Sequence, residues 1–182
     1  YGNEWCIDYN FKKTKIMIFG KGRENLDQVS FTLLGKRLDI VNTWKYLGVT
    51  VISDKFFSCT CKEELTSFYR SVNSVLNIHV GRPSDDIMMR ILYSVCVPTL
   101  LYACEVKDLC SGDMTKVNSA VNNAIRKIFG FSYWQGVREM RQLFNYESVT
   151  EIFAKRRTNF LRSLPSMNNA FIRELLKHID AI

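Results

Sequence analysis

The 182-residue chain is poor in the patterns that announce most chemistries. It holds three prolines and two histidines, and His79 and His178 stand far apart. There is no Gly-rich phosphate loop, no Ser/His/Asp set and no clustered carboxylates on facing strands. These absences exclude a phosphate-cradling loop, triad acyl transfer and a two-metal centre built from this chain alone. Asp85 and Asp86 are adjacent, but they stand at an expected helix start, where acidic residues answer the helix dipole. No apolar run reaches the ~18 residues of a membrane span. The longest, "SVCVPTLLYACEV", is short and interrupted by Pro98. The opening "YGNEWCIDYN" has neither a basic end nor an apolar stretch and does not begin with Met. The expectation is an intracellular chain, in nucleus or cytoplasm and without membrane contact, that is a piece of something longer or an incomplete gene reading.

What is present describes a globular protein. Hydrophobic residues make up 47%, and a chain of this length buries roughly 70% of its unfolded surface without a staple. The six cysteines lack the pairwise spacing of a zinc site: Cys59 and Cys61 are too close together, and Cys104 and Cys110 have no histidine nearby. They read mostly as buried small hydrophobes of a reducing compartment. The net charge of +7 favours an acidic partner such as nucleic acid, and it fits a slightly basic soluble protein as well.

The hydrophobic period changes near residue 56, which predicts two regions, 1–55 and 56–182. In the first, "KIMIFG", "VSFTLLG", "KRLDIV" and "KYLGVTV" alternate like short strands, with a hairpin turning at Gly35-Lys36. So small a sheet must be covered by something, so it is expected to belong to a larger one. In the second, Leu65, Phe68, Tyr69, Val72, Val75 and Leu76 form one helical stripe, over about Cys59 to His79. "GRP" breaks that helix, and "SDD" caps the next, whose apolar face carries Ile87, Ile91, Leu92 and Val95 and which should kink at Pro98. A third helix starts near Ser111 and ends at Gly130. A short one follows around Val137 to Phe144, then "SVTE" at Ser148 as a capping box, a stop at Pro165 and a final amphipathic helix. The fold class is α+β: a small antiparallel strand segment, then a helical bundle.

Three basic stretches are candidates for phosphate contact, each with a solvated surface as the plain alternative. "FKKTK" places three lysines in four positions of a loop. "AIRKIFGFSYWQGVREMRQL" interleaves Arg126, Lys127, Arg138 and Arg141 with Phe129, Phe131, Tyr133 and Trp134, which suits a base-stacking surface or an aromatic corner of the core. "AKRRTNFLR" puts Lys155, Arg156, Arg157 and Arg162 on one helix.

The order "NFKKTKIMIFG", "WKYLGVTV", "MMRILYSVCVPTLLYACEV" resembles the end of the reverse transcriptase of non-LTR, LINE-type retrotransposons. Asn10, Lys13, Thr14 and Phe19 match the loop and strand near the end of the palm. Lys45, Tyr46, Leu47, Gly48 and Val49 match the primer grip, and the rest looks like the helical thumb and its extension. The resemblance implies a partial palm sheet with a primer-grip hairpin, then a thumb-like bundle. It implies the C-terminal segment of an RNA-directed DNA polymerase that grips a primer-template. Primer and template would meet Lys13, Thr14, Tyr46, Leu47, Gly48, Lys155, Arg156 and Arg157, with Tyr46 facing one way and Leu47 the other, one toward primer and one toward core. The missing fingers and palm would be a partner. Mg²⁺ is implied only for the complete polymerase, because the family's catalytic carboxylates, including the aromatic-Ala-Asp-Asp box, lie upstream of the matched segment, so no catalytic or metal-binding residue is expected here. The chain departs from the family at Lys107, where a Trp is usual, at Gly136, where a small hydroxyl residue is usual, and at Asn145, where Gly is usual. A non-catalytic basic helical module that binds nucleic acid, or a decayed retroelement fragment, are the alternatives.

Overall fold

The computed structural model describes residues 4–21, 29–55, 57–77, 81, 83–107 and 109–179, and the side chains of Leu175, His178 and Ile179 are outside that description. The chain forms two compact units, Tyr1–Thr60 and Cys61–Ile182, and the fold is α+β.

The first unit is built from two-residue and longer strands. β1 (Lys15–Ile16) pairs in parallel with β4 (Asp39–Ile40), and Lys15 Nζ meets the Asp39 carboxylate beside that register. β2 (Thr32–Leu33) and β3 (Lys36–Arg37) form an antiparallel hairpin. Its two central residues are Leu34 and Gly35, at φ 50° and 73°, so the turn lies one residue earlier than the Gly35-Lys36 position read from sequence. Two-residue hairpin loops of this kind need positive φ at both positions, and only the earlier register puts Gly at the second of them. β5 (Thr43–Tyr46), β6 (Val49–Ser53) and β7 (Phe57–Thr60) make a three-stranded antiparallel sheet. "KYLGVTV" is therefore two strands and a turn, and Cys59 lies in a strand that pairs with Val51 rather than at a helix start. Among the described residues of this unit only Val51, Ser53 and Cys59 are buried.

The second unit holds a continuous apolar core. α1 (Lys62–Leu76) buries Phe68 and Val72. The expected reach of this helix to His79 lies outside the described residues. α2 (Asp85–Ile91) runs through a π-helical turn, Leu92–Cys96, into α3 (Val97–Leu100). The Val97 N–H reaches back five residues to the Leu92 carbonyl. Pro98 has no N–H to continue an α-helical ladder, and the wider turn just before it absorbs that loss without stopping the helix. Asp85 and Asp86 lie in the first turn of α2, but Ser84 occupies the cap position without a side-chain capping bond. The buried face of this run carries Met88, Met89, Leu92 and Cys96, whereas Ile87 and Val95 are exposed. Of the expected stripe Ile87, Ile91, Leu92 and Val95 only Leu92 is buried; it passed over the adaptable Met and Cys side chains that fill the core.

α4 (Ser111–Phe129) buries Val117, Ala120, Val121, Ala124, Ile125 and Ile128, and Gly130 closes it at φ 67°. α5 (Arg138–Leu143) follows. Asn145, at φ 57°, occupies a left-handed position where Gly is the usual choice and Asn the tolerated one. α6 (Val149–Ser163) starts with the expected capping box: the Glu151 N–H donates to Ser148 Oγ, and the Ser148 N–H donates to Glu151 Oε2. A 3₁₀ turn at Leu164–Ser166 contains Pro165, and α7 (Ala170–Ile179) opens with Asn169 Oδ1 accepting from the N–H groups of Phe171 and Ile172. Tyr93 stacks on Tyr146 at 4.1 Å and donates to the Glu147 carbonyl. Burial pushes its hydroxyl up to about 12, which keeps the proton on that bond.

All six cysteines are free thiols; Cys59, Cys61, Cys96 and Cys104 are buried and Cys6 and Cys110 exposed. Burial raises the thiols of Cys61, Cys96 and Cys104, which lowers their reactivity. No helix among the described residues is long and apolar enough to cross a membrane.

Candidate nucleic-acid interface

The sequence-derived site residues fall into two groups, one in each compact unit. In the strand unit, Asn10 organises the basic loop. Its side-chain Oδ1 accepts from the N–H groups of Lys12 and Lys13, and its carbonyl accepts from the Thr14 N–H and hydroxyl. Asn is suited to this because its short amide side chain mimics a turn of backbone. The result is a closed turn that leads into β1 and presents Lys12 and Lys13 to solvent, while Thr14 is half-buried and spends its hydroxyl on the turn. Thr14 is thus a positioning residue for the loop.

The β5–β6 hairpin closes on the pair Tyr46–Val49. Leu47 and Gly48 between them have φ 47° and 79°, the double positive φ of a type I′ turn. Gly48 adopts this without penalty, and Leu47 does so at a cost of roughly 1–2 kcal/mol. The Leu47 side chain is 76% exposed and Tyr46 65%, so neither faces a core. The expectation that one of the two points inward fails because Leu47 sits in the turn, outside the alternation of a strand. An apolar side chain held in a strained, solvent-facing conformation buries little surface for the fold. Such outliers cluster where backbone geometry serves a ligand.

In the helical unit, Lys155, Arg156 and Arg157 diverge around α6. Lys155 Nζ lies 3.3 Å from Glu147 Oε1 and Arg156 Nη1 lies 3.9 Å from Glu105 Oε1, both on the surface. Arg157 Nη1 donates to the Lys107 carbonyl at 3.5 Å and is half-buried. Exposed ion pairs contribute ~0–1 kcal/mol, so little holds Lys155 and Arg156 to these partners. Arg157 is tied to the backbone of the 101–107 segment and acts more as a brace.

That segment contains the feature sequence reasoning missed. Lys107 is 2% exposed and its ammonium meets Glu64 of α1, itself buried, with the Tyr102 ring 5.8 Å away. The buried Lys answers a buried Glu, and the pair spans 43 residues, beyond any local spacing rule. The aromatic-basic stretch also divides. Phe129 packs on Phe131 and Phe144 at 5.6 and 5.7 Å as a corner of the core, while Tyr133 and Trp134 lie outside it.

Among the described residues no group of three or more His, Cys, Asp or Glu is placed to hold a metal ion. The two units present different surfaces: a lysine-bearing turn and a strained aromatic-apolar hairpin tip in one, and two exposed cations on a helix in the other. Comparison with protein-family models, curated proteins and solved structures finds no significant match.

Proposed function

We propose that the chain is the end of the palm and the thumb of a non-LTR retrotransposon reverse transcriptase, gripping a primer-template while residues outside this chain perform the chemistry. The observation that carries the reading is the β5–β6 tip. Its Tyr46-Leu47-Gly48-Val49 sequence resembles a primer grip, and its Leu47 holds a left-handed conformation with the side chain exposed. Gly48, having no Cβ, lets a nucleic-acid strand approach the backbone there. The Asn10 turn would add Lys13, and α6 would add Lys155 and Arg156 as phosphate contacts. The exposed apolar residues of the strand unit, among them Phe19, Ile40 and Phe57, are the surface that the rest of a palm sheet would cover.

A second reading, a basic helical module that binds nucleic acid without catalysis, is favoured by one observation: the helical unit owns its entire core. The two readings differ at the hairpin, which matters only to the first.

The test measures binding of the full chain to an RNA–DNA primer-template hybrid as a function of salt. Neutral substitutions at Lys155, Arg156 and Arg157 are expected to weaken binding about equally across sequences and to reduce the salt slope by up to about two units, roughly one for each phosphate contact. Tyr46→Ala with Leu47→Asn is expected to weaken binding to a recessed primer end but not to a blunt duplex. Unchanged affinity and slope in the first variant would show α6 to be a solvated face, and equal losses on both substrates in the second would remove the primer-grip reading. With Mg²⁺ and nucleotides the chain alone is expected to give no primer extension.

A further inference from the structure

We infer that the Ser132–Gln135 turn is a stacking platform for the unpaired bases of single-stranded nucleic acid. The inference rests on the nucleic-acid reading above and deepens it by naming a second contact surface and the form of strand it takes. Tyr133 is 81% exposed and Trp134 74%, and their rings meet edge-on at 5.2 Å and 80°. Two large π faces are left to solvent side by side on a four-residue turn. The turn is rigid. The Ser132 N–H donates to Gln135 Oε1 at 2.6 Å, the Gln135 N–H donates to the Ser132 carbonyl at 3.1 Å, and Arg126 Nε clamps the Gln135 carbonyl at 3.0 Å. Its root is Phe131, stacked on Phe129 at 5.6 Å. The backbone that presents both rings is therefore ordered before anything binds, which removes part of the ordering cost of association.

Ring geometry and charge select the ligand. Base–aromatic stacking needs a free π face and is indifferent to sequence. Rings set nearly perpendicular cannot extend one continuous column of bases, so the two faces suit successive bases that are turned out of a stack, as an unpaired strand allows and a duplex does not. The surrounding stretch 122–141 carries Arg126, Lys127, Arg138 and Arg141 against the single acid Glu139, and Lys127 and Arg138 are exposed. That balance complements a polyanion better than an apolar protein surface.

The experiment uses the full chain, a fluorescent oligo-dT single strand and an RNA–DNA hybrid duplex. Tyr133→Ala with Trp134→Ala is expected to weaken single-strand binding at least about fivefold for each ring removed, and to leave hybrid affinity and thermal unfolding unchanged. Tyr133→Phe with Trp134→Phe should retain most of the binding. In a Trp5→Phe, Trp44→Phe background, adding unlabelled oligo-dT should quench the remaining Trp134 fluorescence. Wild-type single-strand affinity in the double alanine variant, or no quenching, overturns the inference. If the Lys155/Arg156/Arg157 variant meanwhile loses hybrid affinity, the grip reading survives without it. Loss of self-association in the alanine variant with oligonucleotide binding intact would mark the turn as a protein contact and overturn it as well. Absence of any nucleic-acid binding by the native chain would remove both readings.

Discussion

The two units solve the problem of stability differently. The helical unit buries an uninterrupted cluster from Cys61 to Phe153, with Phe68, Met89 and Ile125 fully enclosed. The strand unit buries three of its described residues and leaves Trp5, Leu34, Tyr46, Leu47 and Phe57 more than half exposed. Its order comes from short ladders, from the Asn10 turn and from two Leu-Gly turns, which are local devices. Small sheets of two or three short strands are marginal in water by themselves. The difference teaches that the helical unit is held by a core of its own, whereas the strand unit is held by local backbone devices and leaves large apolar side chains exposed.

Core substitutions give the largest separation between the units. Phe68→Ala is expected to destabilise the helical unit by about 3–5 kcal/mol, as a fully enclosed ring removed from a close-packed core does. Phe57→Ala, at a side chain more than half exposed, should cost under about 1 kcal/mol. Urea unfolding followed by far-UV circular dichroism separates the two, and equal costs would mean that the strand unit has a core of its own.

A comparable effect is expected at the buried ion pair. Glu64→Ala strands the Lys107 ammonium among apolar side chains and should cost about 3–5 kcal/mol. The joint replacement Glu64→Leu with Lys107→Met should recover most of that loss, because no buried charge is left unpaired. A double-mutant cycle in urea measures it, and additive losses would show that the pair contributes nothing jointly.

The hairpin tip yields a smaller effect of both signs. Gly48→Ala places a Cβ on a left-handed backbone and should destabilise the β5–β6 hairpin by roughly 1–2 kcal/mol. Leu47→Gly relieves the same strain and should stabilise it, by up to about 1 kcal/mol. Amide hydrogen exchange across Thr43–Ser53 reads both. If the Leu47→Gly hairpin is more stable than the native one and weaker at a primer end, the exposed leucine is kept for binding.

The smallest expected effect is at the α6 cap. Ser148→Ala should cost about 1 kcal/mol. Hydrogen bonds from the Ser148 backbone and hydroxyl hold the Glu151 carboxyl below the usual carboxylate range. A lowered folded value means that this support is fully present above the ordinary glutamate range and is lost as acid takes the pH down through the folded value. The acid limb of helical-unit unfolding should therefore be shallower in Ser148→Ala than in the native chain.

Local signals were legible wherever one or two residues dictate the backbone. Gly130 ends α4 because a left-handed C-terminal residue costs glycine nothing. "SVTE" opens α6 because two side chains satisfy two orphan N–H groups reciprocally. Pro98 forces an adjustment because it lacks a donor, though the form taken, a π turn rather than a bend, depends on neighbours that sequence does not display. The basic helix of Lys155–Arg157 could be found from charge alone, but not which cation is braced and which can exchange its partner. That depends on Glu147, Glu105 and the Lys107 carbonyl, which the fold brings to α6 from elsewhere.

By itself the sequence determined the α+β order of elements, the capping box at Ser148, the stop at Gly130 and the positive charge, because periodicity, capping and composition act over a few residues. Only the tertiary structure decided that Lys107 is buried against Glu64, that Leu47 is exposed and strained, and that Phe129 packs on the core with Phe131 against it while Tyr133 and Trp134 stay out. Burial is a property of what surrounds a residue in space, and four neighbouring aromatics carry no local mark of which side of the chain the core will occupy.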